Sequence, residues 1–179
     1  MLKILAISGS LRSSSSNTTI LRALMGLVPK NTNFSIYAGI GNLPHFNPEF
    51  DDELVLISVR NWRTQLQESD AVIFCTPEYA HGVPGALKNA LDWIVSSGEF
   101  MHKPTAVISA SPSMDGGAKA NASLVETLKV MMAEIVVGST LCIPGVSAKL
   151  SPEGEIKDPQ TERSLRSLLD NLIGSIDKI

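Results

Sequence analysis

Short apolar runs alternate along the chain with longer segments in which apolar residues recur every three or four positions. The first run is Leu2–Ser8, and four similar runs follow it: FSIY, AVIFC, PTAVISA and EIVVGSTLCI. Short runs that are apolar throughout are typical of strands covered on both faces, whereas a spacing of three or four residues is typical of amphipathic helices. The pattern therefore predicts five strands, each followed by a helical or irregular connection.

The segments that follow these strands predict five helices. In the first of them, Asn17–Val28, the apolar residues fall on one helical face: Ile20, Leu21, Leu24 and Leu27. Asp51 or Asp52 is expected to cap the second helix, whose inward residues would be Leu54, Ile57, Trp62 and Leu66. The remaining helices are predicted at Ala86–Ser96, Ala118–Met132 and Thr161–Lys178. Gly145–Asp158 is predicted to form an excursion, with a hairpin turn at the sequence PEG.

Strand–helix alternation repeated five times is typical of the α/β class. With right-handed crossovers it predicts a doubly wound, five-stranded parallel sheet of order 2-1-3-4-5, with helices on both faces. The sequence contains no internal repeat and no linker, so residues 1–179 are interpreted as one domain. Ligands of such sheets bind at the carboxyl ends of the strands, near the switch between strands 1 and 3. This rule directs attention to the loops that follow Ser8, Cys75 and Ala110.

The first of these loops, GSLRSSSSNTTIL, has the composition of an anion site. It precedes a helix N-terminus, and it offers several serine hydroxyls, Asn17, Thr18 and the charge of Arg12. The first acidic residue of the chain is Glu49, so no carboxylate of the first strand–helix unit would oppose an anion. The alternative is that Ser16 or Asn17 only caps the helix and the other polar residues are solvated.

Exclusion narrows the identity of the anion. The chain has no GxxxxGK[ST] motif, which disfavours a nucleoside triphosphate in a P-loop. It also lacks GxGxxG and has no acidic residue after FSIY to hold a ribose, which disfavours a dinucleotide bound in the Rossmann manner. A single phosphate group fits this loop best.

The second and third loops are shaped by proline and glycine. The second, CTPEYAHGVPGALKNALDW, presents backbone groups and Tyr79, which suit a flat ring with hydrogen-bonding edges. Placement of Pro84 near the first helical position would explain the prolines without any ligand. In the third, SASPSMDGGAKAN, Gly116 and Gly117 permit a close backbone approach, although a plain turn explains that loop nearly as well.

Composition and charge exclude several classes of protein. The chain is 44% hydrophobic and 18% charged with a formal net charge of -3, as expected of a globular protein and not of a nucleic-acid or polybasic membrane-surface binder. No apolar run approaches the roughly 18 residues of a membrane span, and no signal peptide is recognised, so a cytoplasmic location is expected.

Cys75 and Cys142 are expected to be buried free thiols. The histidines form no zinc motif, so no metal is expected.

Taken together, the three loops resemble those of the NADPH-dependent FMN reductase family, flavodoxin-like enzymes that include quinone, azo-dye and chromate reductases. The first loop is similar to the family pattern G-S-L-R-x-x-S-x-N, and Thr76–Trp93 is similar to T-P-E-Y-N-x-S-x-P-G-x-L-K-N-A-x-D-W. The third loop resembles S-x-S-P-G-G-x-G-G-x-R-A. This sequence departs from the family at four places: Ala80 replaces Asn, Gly82 replaces Ser, Ser113-Met114 replaces two glycines, and Lys119 replaces Arg.

The resemblance implies that FMN is the cofactor and that the loops bind it. The phosphate would be held by residues of the first loop: Ser10, Arg12, Ser15, Ser16, Asn17 and Thr18. The isoalloxazine would be lined by residues of the second: Pro77, Glu78, Tyr79, Ala80, His81 and Gly82. The segment from Ser111 to Gly116 would flank the pyrimidine side of the ring.

The implied activity is that of an FMN-dependent oxidoreductase. It would take electrons from NADPH or NADH and pass them by a ping-pong scheme to a flavin, a quinone or a similar small acceptor. No residue is assigned as a catalytic acid or base, although Tyr79 and His81 would contact substrate. A homodimer or homotetramer is expected, with Phe46–Leu56 and Ala86–Ser96 as candidate interface segments. Two alternatives stay open: a flavodoxin-type electron carrier without turnover, and a binding protein without flavin.

Overall fold

Five strands form one parallel sheet in a computed structural model, which describes residues 1–51, 56–151 and 153–176. The strands are β1 (Leu2–Ser8), β2 (Thr32–Tyr37), β3 (Ala71–Thr76), β4 (Pro104–Ala110) and β5 (Glu134–Ile143). Their order across the sheet is β2-β1-β3-β4-β5, and every neighbouring pair is parallel. The predicted fold class and strand order are confirmed.

Helices cover both faces of this sheet. They are α1 (Ser16–Met25), α2 (Ile57–Gln67), α3 (Gly85–Asp92), α4 (Ala118–Val130), the short α5 (Val146–Lys149) and α6 (Pro159–Ile176). Buried residues of α2, α3 and α4 share one hydrophobic core, and those of α1 and α6 share the other. Successive side chains of a strand point to opposite faces, so β3 contributes Val72 and Phe74 to the first core and Ile73 and Cys75 to the second. This explains why β3 and β4 are mostly apolar and are buried along their whole length.

The start of α2 differs from the prediction. Its N-cap residue is Leu56, which makes no side-chain cap, and Asp51 instead accepts hydrogen bonds from Arg63 at 2.6 Å and Ser96 at 2.5 Å. Ile57 is 84% exposed, so its predicted inward position is wrong. The helical period explains the error, because the buried face that contains Trp62 continues to Val59 and places Ile57 on the opposite side. Asp52 and Leu54 lie outside the described residues.

The other helix boundaries within the described residues differ from the sequence expectation by a few residues, and Lys178, the predicted end of the last helix, lies outside the described residues. The largest difference is in α3, which ends at Asp92 and not at Ser96. The side chain of Arg63 donates to the carbonyl oxygen of Trp93 from both Nε, at 3.1 Å, and Nη2, at 2.5 Å. This tertiary contact satisfies a carbonyl that would otherwise accept within a longer helix.

The excursion after β5 contains the predicted hairpin. Leu150 and Ile156 form an antiparallel bridge, and Gly154 turns the chain with φ +88°. Pro152, the first residue of the PEG sequence, lies outside the described residues. The hairpin leads into α6, where Asp158 accepts hydrogen bonds from the backbone nitrogen and the hydroxyl of Thr161 at 2.9 and 2.5 Å.

Two further findings concern side-chain chemistry and helix length. Cys75 is a buried free thiol, as predicted, but the prediction for Cys142 is wrong: this thiol is exposed, on a strand that has a neighbour on one side only.

Within the ranges that the structure covers, no three His, Cys, Asp or Glu side chains lie close enough to share a metal ion. None of the helices described combines the length and apolar character that crossing a membrane requires.

Candidate flavin-binding cleft

A cleft of about 200 Å³ lies where β1, β3 and β4 end, at the switch in strand order. We call it the loop cleft, because all three polar loops line it. The lining residues are Ser10, Arg12, Ser14, Ser15, Ser16, Asn17, Pro77, Glu78, Tyr79, Ala110, Ser111, Pro112, Val146 and Ser147. Nine of the fourteen residues predicted for the cofactor site are among them. Thr18, Ala80, His81, Gly82 and Gly116 are not.

The first loop presents hydrogen-bond donors at the N-terminus of α1. Ser15 is the N-cap residue, and its hydroxyl accepts from the backbone nitrogen of Thr18 at 3.4 Å. The backbone N–H groups of Ser16 and Asn17 donate to no described residue. The positive end of the helix dipole adds to these free donors, and Arg12 lies beside them. The arrangement is suited to an anion.

The side chains of Asn17 and Thr18 point away from this anion position. Asn17 is buried, and its Nδ2 donates to the carbonyl oxygen of Ala110 at 3.3 Å while its Oδ1 accepts from the thiol of Cys75 at 3.2 Å. The hydroxyl of Thr18 donates to Oγ of Ser8 at 2.8 Å. Both side chains therefore tie α1 to the sheet. Asn17 retains a free backbone N–H that can contact an anion.

The carboxylate of Glu78 is directed at the start of α4. Its Oε2 accepts from the backbone nitrogen of Ala120 at 3.0 Å, and its Oε1 lies 3.2 Å from Nδ1 of His81. The Ala120 N–H, with a smaller contribution from His81, holds the pKa of Glu78 below its usual range, so this carboxyl is charged at neutral pH. Glu78 thus fastens the second loop to the helix that follows the third loop, and each of its carboxylate oxygens has a partner there.

Residues 79–82 form a tight reverse turn at the rim of the cleft. The backbone nitrogen of Tyr79 donates to the carbonyl of Gly82 at 3.0 Å, and the reverse bond is also 3.0 Å. The two central residues, Ala80 and His81, have φ values of 49° and 63°. Two successive residues of positive φ are typical of a type I′ turn. The turn explains why Ala80, His81 and Gly82 lie outside the lining, while the half-exposed Tyr79 remains at its edge.

Ala80 is poorly suited to this turn, because a Cβ disfavours positive φ and asparagine tolerates it better. We expect Ala80→Asn to raise the free energy of unfolding by about 0.5–1 kcal/mol. Ala80→Val should lower it, since β-branched residues are the least tolerant of positive φ. Urea denaturation of the three proteins measures both changes. Equal stabilities would contradict the assigned strain.

The third loop is held against the end of β5. The backbone nitrogen of Ser111 donates to the carbonyl of Ile143 at 3.2 Å, and the carbonyl of Ser111 accepts from Val146 at 3.1 Å. Gly116 has φ +63°, and a Cβ at that position would lie 2.8 Å from the backbone of Ile143 and Pro144. Gly116 therefore permits this close contact and does not itself line the cleft, whereas Ser111 does.

Four lining residues were not predicted: Ser14, Ala110, Val146 and Ser147. The last two belong to α5, which follows β5 and lies after the three loops that carry the resemblance. The predicted strand order does indicate that Val146 and Ser147 lie near the cleft. In the order 2-1-3-4-5, the segment after strand 5 emerges beside the third loop and so comes near the cleft.

Comparison with known proteins agrees with the fold and the loops. The sequence profile of the NADPH-dependent FMN reductase family matches residues 2–147. An NAD(P)H-dependent FMN reductase of Pseudomonas aeruginosa is 32% identical over 173 residues, which cover 96% of this chain and 93% of that protein. A quinone reductase of Pseudomonas putida is 33% identical over 172 residues, covering 93% and 90%. The structure of a flavoenzyme NAD(P)H:(acceptor) oxidoreductase from Paracoccus denitrificans superposes with a TM-score of 0.89 at 29% identity, covering 99% of this chain and 98% of that one. The resemblance carried by the three loops extends over most of the sequence, and the chain belongs to the NADPH-dependent FMN reductase family.

Proposed function

We propose that the chain holds FMN in the loop cleft and passes electrons from NADPH or NADH to a quinone, a flavin or another small acceptor. Membership of the family makes it an FMN-dependent NAD(P)H oxidoreductase. When bound, FMN supplies the redox chemistry. The observation that carries the assignment of the site is the set of free donors at the start of α1, which opens into a cleft between the second and third loops.

The donor set fits a phosphate monoester. Arg12 and the backbone N–H groups of Ser16 and Asn17 supply charge and hydrogen bonds to its oxygens, and the hydroxyls of Ser10 and Ser16 can add to them. Among the described lining residues the one carboxylate is Glu78, whose oxygens are engaged by the Ala120 N–H and the ring of His81. A phosphate dianion would therefore meet Arg12 and the positive end of the α1 dipole.

The second and third loops would hold the flavin ring. Pro77 and Tyr79 approach from one loop and Ser111 and Pro112 from the other, so the ring edge would meet backbone groups of both. Their task is to orient the ring and to exclude water on one side while the other side stays open to NAD(P)H and then to the acceptor. No side chain is assigned a proton-transfer role. The ring of His81 is engaged with Glu78 at the rim and is 69% exposed.

Oxidation of NADPH distinguishes this function from the two alternatives, an electron carrier and a flavin-free binding protein. An electron carrier would bind FMN without oxidising NADPH, and a flavin-free protein would stay colourless after FMN is added. The relatives are named as reductases, which favours neither the electron carrier nor the flavin-free protein. We expect purified protein to be yellow and to oxidise NADPH when a benzoquinone is supplied. A colourless protein that ignores added FMN would refute the proposal.

The assembly and location are further parts of the proposal. A homodimer or homotetramer is proposed because apolar side chains of the candidate interface segments are exposed: Phe50 at 60%, Leu56 at 53% and Val95 at 61%. A cytoplasmic location is proposed because both cysteines are free thiols. We also propose that residues 1–179 act as one domain.

Arg12→Ala should weaken FMN binding by about 10- to 100-fold, the cost of one charge-assisted contact of roughly 1.4–2.8 kcal/mol. Riboflavin lacks the phosphate, so its affinity should change by less than twofold. Fluorescence titration of the apoprotein with each flavin measures both dissociation constants. Arg60→Ala, at an exposed arginine of α2, is the control for loss of one positive charge. Equal losses for FMN and riboflavin would show that Arg12 is not at the phosphate.

A further inference from the structure

A second, larger cavity adjoins the phosphate end of the loop cleft. It measures about 660 Å³, and its described lining is Ser13, Ser14, Ser16, Thr19, Arg22, Ser147, Leu150, Ser151, Glu153, Gly154 and Lys157. We call it the α1 groove. One wall is the face of α1 from Ser16 to Arg22, and the other is the hairpin that follows α5. Ser14, Ser16 and Ser147 line both cavities, so the groove continues directly from the proposed phosphate position.

The walls of the groove are held by specific contacts. The hairpin is closed by the Leu150–Ile156 bridge and by a hydrogen bond from the backbone nitrogen of Lys157 to the carbonyl of Lys149 at 2.9 Å. At its tip, Gly154 approaches α1 so closely that a Cβ there would lie 3.1 Å from Cγ2 of Thr19. The groove is therefore bounded on two sides by regular structure, and its volume falls within the range of small-molecule sites.

The charges along the groove match the parts of a nucleotide. Arg22 and Lys157 form no ion pair with any carboxylate that the structure describes, so both can face an added phosphate. The carboxylate of Glu153 can accept hydrogen bonds from a ribose diol or an exocyclic amine. Serine and threonine hydroxyls fill most of the remaining lining, and Leu150 adds an apolar surface. A site for inorganic phosphate alone would need neither the carboxylate nor this volume.

We propose that the α1 groove binds the adenylate half of a dinucleotide. The inference rests on the proposed function, because the wall shared by the two cavities is the one that would hold the FMN phosphate. Two sources supply this chemistry. FAD would carry its pyrophosphate past Ser14 and Ser16 with its flavin in the loop cleft, and NADPH or NADH would place its adenylate there during turnover.

The test compares wild-type protein with an Arg22→Ala/Lys157→Ala double variant. Apoprotein is titrated with riboflavin, FMN and FAD, and the KM for NADPH is measured on the FMN-loaded enzyme with a benzoquinone acceptor. If FAD is the source, the variant should bind FAD at least tenfold more weakly while its FMN affinity changes by less than twofold. If NADPH is the source, its KM should rise at least fivefold with kcat and FMN affinity unchanged. A Lys30→Ala/Arg60→Ala variant removes the same charge elsewhere on the surface and should change none of these values.

Two other outcomes overturn the inference in distinguishable ways. If wild-type and double variant agree in FAD affinity and in the KM for NADPH while FMN binds and turns over, the groove is not an adenylate site and the proposed function stands. If wild-type protein binds no FMN, the proposed function fails and the adenylate subsite fails with it.

Discussion

Gly116→Ala is expected to lower the free energy of unfolding by about 2–5 kcal/mol and to disrupt the loop cleft. Two costs add at this position. A Cβ at φ +63° costs about 1–2 kcal/mol, and forcing it into a packed site costs about 1–3 kcal/mol more. The clash cannot be relieved by a side-chain rotation, because the atoms at 2.8 Å belong to the backbone of Ile143 and Pro144. The third loop must therefore move away from the end of β5.

Glycines of similar φ elsewhere separate the two costs. Gly98 has φ +76° and Gly145 has φ +58°, and a Cβ on either would meet nothing within 4 Å. Gly98→Ala and Gly145→Ala should each cost about 1–2 kcal/mol, the conformational part alone. Urea denaturation gives the stabilities, and FMN titration shows whether the loop has moved. Gly98 lies outside the site, so Gly98→Ala should bind FMN normally. Equal stabilities for Gly116→Ala and Gly98→Ala would refute the assigned clash.

The sequence predicted the sheet correctly because burial on both faces leaves a direct trace in the residues. β3 and β4 are buried along their whole length and mostly apolar, and their apolar side chains alternate between the two cores. The position of the three loops then followed from topology, since the carboxyl ends of parallel strands lie at one edge of the sheet. The boundaries of α2 and α3 were harder to predict, because Asp51, Arg63 and Trp93 come together only through tertiary contacts.

Side-chain direction within the loops could not be read from the sequence. A polar residue in a serine-rich loop is easily interpreted as a ligand contact. The hydrogen-bond partners of the Asn17 side chain are instead the thiol of Cys75 on β3 and the carbonyl of Ala110 at the end of β4. The direction of the Glu78 carboxylate could not be predicted either, because it accepts a hydrogen bond from the backbone nitrogen of Ala120 on α4. The resemblance to the family implies that Gly116 lies at the flavin, and glycine permits a close approach. The approach is real, but the neighbour is the end of β5.

Asn17→Ala is expected to lower the free energy of unfolding by about 2–4 kcal/mol. The substitution leaves the carbonyl of Ala110 without its donor, which costs about 1–3 kcal/mol, and it opens a small cavity beside Cys75. Burial raises the pKa of the Cys75 thiol, so this group stays protonated and loses its acceptor as well. Because α1 is then less firmly attached to the sheet, both FMN and riboflavin should bind more weakly.

Asn17→Asp keeps the shape of the side chain and tests the direction of its hydrogen bond. A carboxylate cannot donate to the Ala110 carbonyl, whereas the protonated acid can, so burial and this bond should raise the pKa of the new Asp above its unfolded value. The folded state then holds a proton that the unfolded state releases, and stability should fall as the pH rises through that interval. Asn17→Ala should show no such added pH dependence, and urea midpoints from pH 4 to pH 8 measure the difference. A direct phosphate contact by the Asn17 side chain would give the opposite pattern: selective loss of FMN over riboflavin, with stability unchanged.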